Sequence, residues 1–270
     1  MNEVFDYISE IRNEVESGLS ISIPLWFERS DKAPEDDLSD SRIAADLPGM
    51  IDHTLLRPEA DPEEFDRLCE DAKKYRFYSV CVYTPYVPRC VSLLDGWEVK
   101  VCTVCGFPSG AFLSSVKAFE ASEASSLGAD EIDMVINISA LKGDSLSEVY
   151  DDIMEVVNAI PQVKTVKVIL ETGYLTKAEK IKGCLLAKAA GADFVKTSTG
   201  FGPSGASVED VRLLRTVVGS DMGVKAAGGI RDAAGAMAMV KAGASRIGTS
   251  ASVSIISGLI RIMGPNCMRP

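Results

Sequence analysis

The sequence predicts an α/β fold: a (β/α)8 TIM barrel that follows a helical and acidic N-terminal extension. From residue 50 onward, short β-rich runs alternate with longer helical patterns, which predicts a parallel sheet. There are eight such runs, and eight strand–helix units most economically close into a barrel. The length of 270 residues suits a barrel that forms one domain. A doubly wound open sheet is the alternative.

The eight runs are short and mostly apolar, as expected of parallel strands that helices cover on the outside. They occupy residues 50–56, 78–83, 99–105, 131–137, 166–172, 193–196, 223–226 and 245–249. Neither a G-x-G-x-x-G pattern nor a P-loop follows the first run. Because the glycine-rich turns of the chain match neither of these motifs, they give only weak support to the barrel.

Helix boundaries can be recognised between the runs. Asp61 followed by Pro62 is typical of an N-cap and a first helical position. Thr176 and Glu179 have the spacing of a capping box, and Gly191 marks the end of the same helix. Apolar residues recur at helical spacing on the next helix, at Val208, Val211, Leu214 and Val218.

Three regions are expected along the chain. Residues 1–49 form the extension, in which residues 4–19 predict an amphipathic helix and residues 28–41 an acidic, solvated linker. Residues 50–264 form the barrel, and residues 265–270 form a short C-terminal tail. The sequence assigns no role to the extension.

Composition limits the function and the location of the protein. The net charge is −11, and residues 1–46 carry 12 acidic and 4 basic side chains, so nucleic acid is not an expected partner. No apolar run reaches 18 residues and no signal peptide is recognisable, so we expect no membrane association. Seven scattered cysteines, an odd number, predict reduced thiols and a cytoplasmic location.

Four charged residues interrupt strands that should be apolar: Asp52, Asp133, Lys196 and Lys225. Because strand side chains alternate between the two faces of a sheet, all four are expected to face the barrel interior. Each could belong to a structural ion pair. Together, near the ends of barrel strands where active sites form, they favour catalysis.

The two lysines suggest a specific chemistry. Lysine is a nucleophile only as the free amine, and its pKa of about 10.4 leaves little of that form at pH 7. Burial and a second ammonium nearby both favour the free amine, so Lys196 and Lys225 as a buried pair predict a Schiff base to a carbonyl substrate. Asp133 would then transfer protons.

Metal and cofactor chemistry are not expected. His53 is the only histidine, too few for a typical catalytic zinc site, and we interpret it as structural. Cys102 and Cys105 resemble a redox motif, but on a strand they point to opposite faces, and we interpret both as packing residues.

Three glycine-rich turns follow the last three runs: Gly200-Phe201-Gly202, Gly228-Gly229 and Gly248-Thr249-Ser250. Glycine lets backbone N–H groups approach an anion, and the loops after strands 7 and 8 bind phosphate in many barrels. These turns predict a phosphate site.

With these residues identified, the chain resembles the deoxyribose-phosphate aldolases, which are Schiff-base (class I) aldolases. The resemblance covers residues 50 to about 262 and is most specific in IDHTLL, ADEIDMVIN, KVILETGYLT, DFVKTSTGFGPSGASVEDVRLLR, VKAAGGIR and RIGTS. It implies that Lys196 forms the Schiff base, that Lys225 tunes it and shares in the proton relay, and that Asp133 and Asp52 also serve this relay. It implies substrate contacts at Thr54, Cys81, Lys167, Thr197, Gly200, Phe201, Gly228, Gly229, Gly248 and Ser250.

The expected activity is reversible cleavage of 2-deoxy-D-ribose 5-phosphate to D-glyceraldehyde 3-phosphate and acetaldehyde. The expected partner is this small phosphorylated sugar, with no cofactor and no metal. A homodimer or other homo-oligomer is also expected. The alternative, from another class of protein, is an aldolase-fold scaffold that binds partners through its acidic extension.

Overall fold

Eight parallel strands close into a barrel in sequential order, with the last strand paired to the first. The computed structural model describes residues 2–23, 39–162 and 164–264. The strands are β1 (Ile51–Leu55), β2 (Ser79–Val82), β3 (Lys100–Cys105), β4 (Glu131–Val135), β5 (Thr165–Ile169), β6 (Phe194–Lys196), β7 (Gly223–Ala227) and β8 (Arg246–Thr249). The predicted barrel is confirmed, and the open sheet is wrong.

Helices follow the strands and pack around the barrel. They are α1 (Asn2–Leu19), α2 (Asp40–Asp46), α3 (Pro62–Tyr75), α4 (Val87–Leu93), α5 (Ser114–Ser126), α6 (Ile138–Lys142), α7 (Leu146–Asn158), α8 (Lys177–Ala189), α9 (Val208–Val218), α10 (Ala233–Lys241) and α11 (Ser252–Met263). Within the described part of the chain, no helix is long and apolar enough to cross a membrane.

The helix signals of the sequence act where they were predicted. Asp61 accepts a hydrogen bond from the backbone N–H of Glu64 at 3.0 Å, and Glu64 accepts one from the N–H of Asp61 at 3.1 Å. The reciprocal bonds between Thr176 and Glu179 measure 3.3 and 2.7 Å. Gly191 follows the last turn of α8 with φ of +85°. These local caps set the helix starts before any tertiary contact forms.

Strand alternation separates an apolar shell from a polar interior. Ile132, Met134, Val195 and Val224 are fully buried between the strands and the helices. Asp133 lies between Ile132 and Met134 and therefore points into the barrel. The interior also holds a small apolar cluster, made of Leu56, Cys81, Cys102 and Val104.

The N-terminal segment packs on the outside of the barrel. Helix α1 buries Ile8, Ile11 and Val15 and contacts α7 and α8. Glu14 of α1 pairs with Lys182 of α8 at 2.6 Å. Helix α2 contacts α10 and α11. Most of the predicted acidic linker, and the whole predicted C-terminal tail, lie outside the described residues.

Candidate active site

Asp133 lies at the centre of a buried charge cluster inside the barrel. Its Oδ2 accepts hydrogen bonds from Lys196 Nζ at 2.8 Å and from Lys225 Nζ at 2.7 Å. Its Oδ1 accepts from Lys167 Nζ at 2.6 Å and from the Cys102 thiol at 3.2 Å. Lys196 and Lys225 are direct neighbours on β6 and β7, as Asp133 and Lys167 are on β4 and β5. Strand register therefore brings these side chains together.

A second group of charges lies nearer the start of the strands. Asp52 Oδ2 forms an ion pair with Lys225 Nζ at 2.5 Å, and its Oδ1 accepts a hydrogen bond from Arg246 Nη1 at 2.9 Å. Glu131 pairs with Arg246 at 3.0 Å and with Lys167 at 2.8 Å. The cluster thus meets the requirement that buried charges be paired.

The ion pairs fix the protonation states of the cluster. Burial alone would raise the pKa of Asp133, but the ammonium groups of Lys167, Lys196 and Lys225 outweigh it and hold that pKa well below its usual range. Burial lowers the pKa of Lys225, but the carboxylates of Asp133 and Asp52 raise it more, so it lies above the usual lysine value. At neutral pH, Asp133 is a carboxylate and Lys225 a fixed positive charge.

Lys196 connects this cluster to an open cavity at the C-terminal end of the barrel. Its side chain is 3% exposed, and it lines a cavity of about 320 Å³. Asp133, Lys167 and Lys225 lie deeper and are fully buried. A molecule that enters the cavity therefore meets Lys196 before it meets the other two lysines.

Glycine-rich turns form another wall of the cavity. The predicted residues that line it here are Gly200, Phe201, Gly228, Gly229, Gly248 and Ser250. Gly228 and Gly229 have φ of +91° and +78°, a conformation that favours glycine and brings backbone close to a ligand. Helix α11 begins at Ser252, and its first turn has no side-chain cap, so its backbone N–H groups suit an anion.

Two arginines at the same cavity were missed by the sequence analysis. Arg57 follows β1 and donates to Glu59 at 2.8 Å. Arg231 is exposed and has no hydrogen bond or ion pair to any residue that the structure describes. Arginine matches phosphate geometry well, so Arg231 strengthens the anionic character expected of the ligand. The position of Arg231, two residues after the Gly228-Gly229 turn, was the feature of the sequence that could have indicated its place at the cavity.

This geometry agrees with the comparison to known families. The model of the DeoC/LacD family aldolases matches residues 48–261. The chain belongs to this family. The match covers all eight strands and begins after α1 and α2.

Individual relatives support the same family. A deoxyribose-phosphate aldolase of Carboxydothermus hydrogenoformans is 57% identical over 215 residues, covering 78% of this chain and 94% of the relative. One from Streptococcus pneumoniae is 58% identical over 208 residues, covering 77% and 94%. The solved deoxyribose phosphate aldolase of Aeropyrum pernix, described as tetrameric, has a TM-score of 0.76 at 34% identity, covering 82% of this chain and 93% of its own.

The remaining predicted site residues of the aldolase occupy different positions. Thr54 lines the cavity and donates to the backbone oxygen of Asp52 at 2.8 Å. Cys81 and Lys167 lie in the buried interior, below the residues that line the cavity. Thr197 is buried and bridges the backbone of Ala227, donating to its oxygen at 2.9 Å and accepting from its N–H at 3.0 Å. The structure thus brings Thr54 to the cavity and places the other three behind it.

The aldolase interior contains polar groups that sequence reasoning did not assign to the site. Cys102 and Cys105 face opposite ways, as predicted, but Cys102 contacts Asp133 and is more than a packing residue. Glu131 and Arg246 complete the ion pairs of the cluster. Both residues stand at the first position of a strand, where a charged side chain is usually exposed to solvent. The alternation of side chains along each strand, which points both residues into the barrel, was the one signal in the sequence.

Proposed function

We propose that this aldolase reversibly cleaves 2-deoxy-D-ribose 5-phosphate to acetaldehyde and D-glyceraldehyde 3-phosphate through a Schiff base on Lys196. One observation carries the proposal: Lys196 lines the cavity that glycine-rich turns and two arginines also line. A nucleophile and an anion site in one cavity suit an aldehyde that carries a phosphate. The deoxyribose-phosphate aldolases among the relatives support the choice of sugar.

The reaction begins when the free amine of Lys196 adds to C1 of the open-chain aldehyde. The carbinolamine loses water and leaves an iminium ion. A base then removes the C3 hydroxyl proton, the C2–C3 bond breaks, and D-glyceraldehyde 3-phosphate departs while C1 and C2 remain as an enamine. Protonation at C2 and hydrolysis release acetaldehyde and restore Lys196.

The cluster supplies the proton transfers. Asp133 Oδ2 touches both Lys196 and Lys225, so a proton can move between the nucleophile and the carboxylate without crossing solvent. Against the expectation that Lys225 shares in the relay, Asp133 and Asp52 stabilise its proton and its positive charge, so it acts as a fixed charge. That charge opposes a second positive charge on Lys196 and so favours its free amine. Asp52 orients Lys225 through their ion pair.

Assembly and location belong to the same proposal. The tetrameric Aeropyrum pernix relative supports a homodimer or other homo-oligomer. Six buried cysteines among the described residues are free thiols, which supports a reducing, cytoplasmic location. The scaffold alternative loses support because the apolar face of α1 is packed against the barrel rather than presented to a partner.

Borohydride trapping tests the proposal. In the presence of deoxyribose 5-phosphate, borohydride should reduce the iminium to a secondary amine, and a peptide map should place one adduct on Lys196. Lys196→Arg should abolish the adduct, since arginine stays protonated. Lys182→Arg, where α8 contacts α1 and away from the cavity, is the matched control and should keep it. An adduct on Lys225, or none in the parent protein, would refute the assignment.

A further inference from the structure

Two cysteines inside the barrel form a pair directly beside Asp133. Cys81 on β2 and Cys102 on β3 are register partners on adjacent strands, and both are fully buried in the interior. The Cys102 thiol donates to Asp133 Oδ1 at 3.2 Å, and its sulfur accepts from Lys167 Nζ at 3.3 Å. The two sulfurs and a carboxylate oxygen of Asp133 all lie within 4.8 Å of one another.

This donor set suits a thiophilic metal ion. Thiolates select Zn²⁺ and related soft ions, and a carboxylate is an acceptable third ligand. A tetrahedral zinc ion with Zn–S distances of about 2.3 Å needs sulfurs about 3.8 Å apart, so small side-chain movements would close the site. Cys102 also belongs to a second group of this kind, with Asp52 and Glu131. Cys102 is thus common to both groups.

We propose that Cys81, Cys102 and Asp133 bind a thiophilic divalent ion, Zn²⁺ or Cd²⁺, and that the bound ion inhibits the aldolase. The ion replaces two thiol protons, one from each cysteine, which leave to solvent. Its two positive charges equal those of the protons released, so the net charge of the buried cluster does not change. Lys167 then donates to a thiolate in place of a thiol.

Inhibition follows from the use of Asp133 as a ligand. In the proposed mechanism Asp133 exchanges protons with Lys196, and a carboxylate that coordinates a metal ion is a much weaker base. The inhibitory part of this inference therefore rests on the proposed function. The binding part does not, because it depends only on the placement of three ligand atoms.

A second cysteine pair provides a matched control. Cys69 of α3 and Cys90 of α4 are also buried, and their thiols are hydrogen-bonded to each other. Within the described ranges, neither cysteine belongs to a group of three or more clustered ligand atoms. This pair should therefore bind a thiophilic ion more weakly than the pair beside Asp133.

Cadmium titration of the purified, metal-free protein tests the inference. Cd²⁺ bound to thiolates absorbs in the ultraviolet, and aldol cleavage can be followed in the same samples. We expect one tightly bound Cd²⁺ per chain, with activity lost in parallel and restored by a chelator. Cys102→Ala should weaken this binding by more than about 100-fold. Loss of a residue that only hydrogen-bonds to a metal ligand weakens binding by less than this. Cys90→Ala should leave it unchanged.

Two results would overturn the inference. One is equal Cd²⁺ affinity in Cys102→Ala and the parent, and the other is loss of tight binding in Cys90→Ala but not in Cys102→Ala. If Cys102→Ala does not fold, Cys81→Ala removes another ligand and should show the same weakening. Tight binding with full activity would refute the inhibition. Borohydride trapping in the metal-free protein tests the proposed function separately, so the two failures can be distinguished.

Discussion

Asp133 shows how one residue can couple two lysines. A carboxylate has room for several donors, and both lysines share its Oδ2, which places two positive charges around one oxygen. The arrangement is stable because Asp52 gives Lys225 a second carboxylate. Lys196 has no such second partner among the ion pairs of the described residues. Of the two lysines, Lys225 is therefore the one that two carboxylates hold, and Lys196 is the one that reaches the cavity.

Replacing Lys225 tests this coupling. Lys225→Leu removes the fixed positive charge beside Lys196, so more of Lys196 stays protonated at neutral pH. We expect kcat/KM for deoxyribose 5-phosphate to fall about tenfold or more at pH 7 and to recover in part as the pH rises, because one pKa unit corresponds to a tenfold change. The measurement is the pH profile of kcat/KM.

A matched control separates charge from stability. Lys117 is also fully buried and pairs with Asp152 at 2.7 Å, but it lies outside the barrel interior, between β4 and the helices. Lys117→Leu should destabilise the fold and leave the shape of the pH profile unchanged. A Lys225→Leu profile with the parental shape would contradict the electrostatic explanation.

Residue-level prediction from sequence succeeds where alternation alone decides the outcome. Asp133, Lys196 and Lys225 sit in apolar strands, so parity along the strand was enough to place them inside the barrel. The contact of Cys102 with Asp133 could not be predicted in this way, because it depends on strand register and on a rotamer. Arg231 lies in a loop, where no periodicity applies.

At the level of elements, the sequence predicts where helices begin and end, but it does not predict which helices pack together. The caps of α3 and α8 are readable because each is formed within four residues of chain. The apolar period of residues 4–19 indicates a helix, and α1 is one. That α1 packs on α7 and α8 could not be predicted from sequence, because this contact joins segments that are far apart along the chain.

The packing of α1 gives a prediction for this element. Ile8 is fully buried, so Ile8→Ala should lower the free energy of unfolding by about 2–5 kcal/mol if α1 unfolds together with the barrel. Asn13→Ala, on the exposed face of the same helix, should change it by less than about 0.5 kcal/mol. Urea denaturation monitored by circular dichroism measures both. An unchanged barrel transition in Ile8→Ala would show that α1 unfolds separately.

Across the whole molecule, the buried titratable groups should respond to acid at different pH values. Asp52 and Asp133 have depressed pKa values because the buried lysines outweigh the burial of each carboxyl group. The stability that they contribute is complete above the unfolded value near 3.8 and is lost only as the pH falls through their lower folded values. Acid sensitivity at higher pH must come from another group.

That group is His53, the only histidine of the chain. Burial lowers its pKa from 6.5 to about 4, and a hydrogen bond with the backbone of Thr249 offsets this only in part. Between these values the unfolded chain binds a proton that the folded chain does not, so stability falls as the pH falls. The loss should approach about 3 kcal/mol by pH 4, at about 1.36 kcal/mol for each pKa unit. Urea unfolding at a series of pH values should show this slope in the parent and not in His53→Gln; equal slopes would exclude His53 as the source.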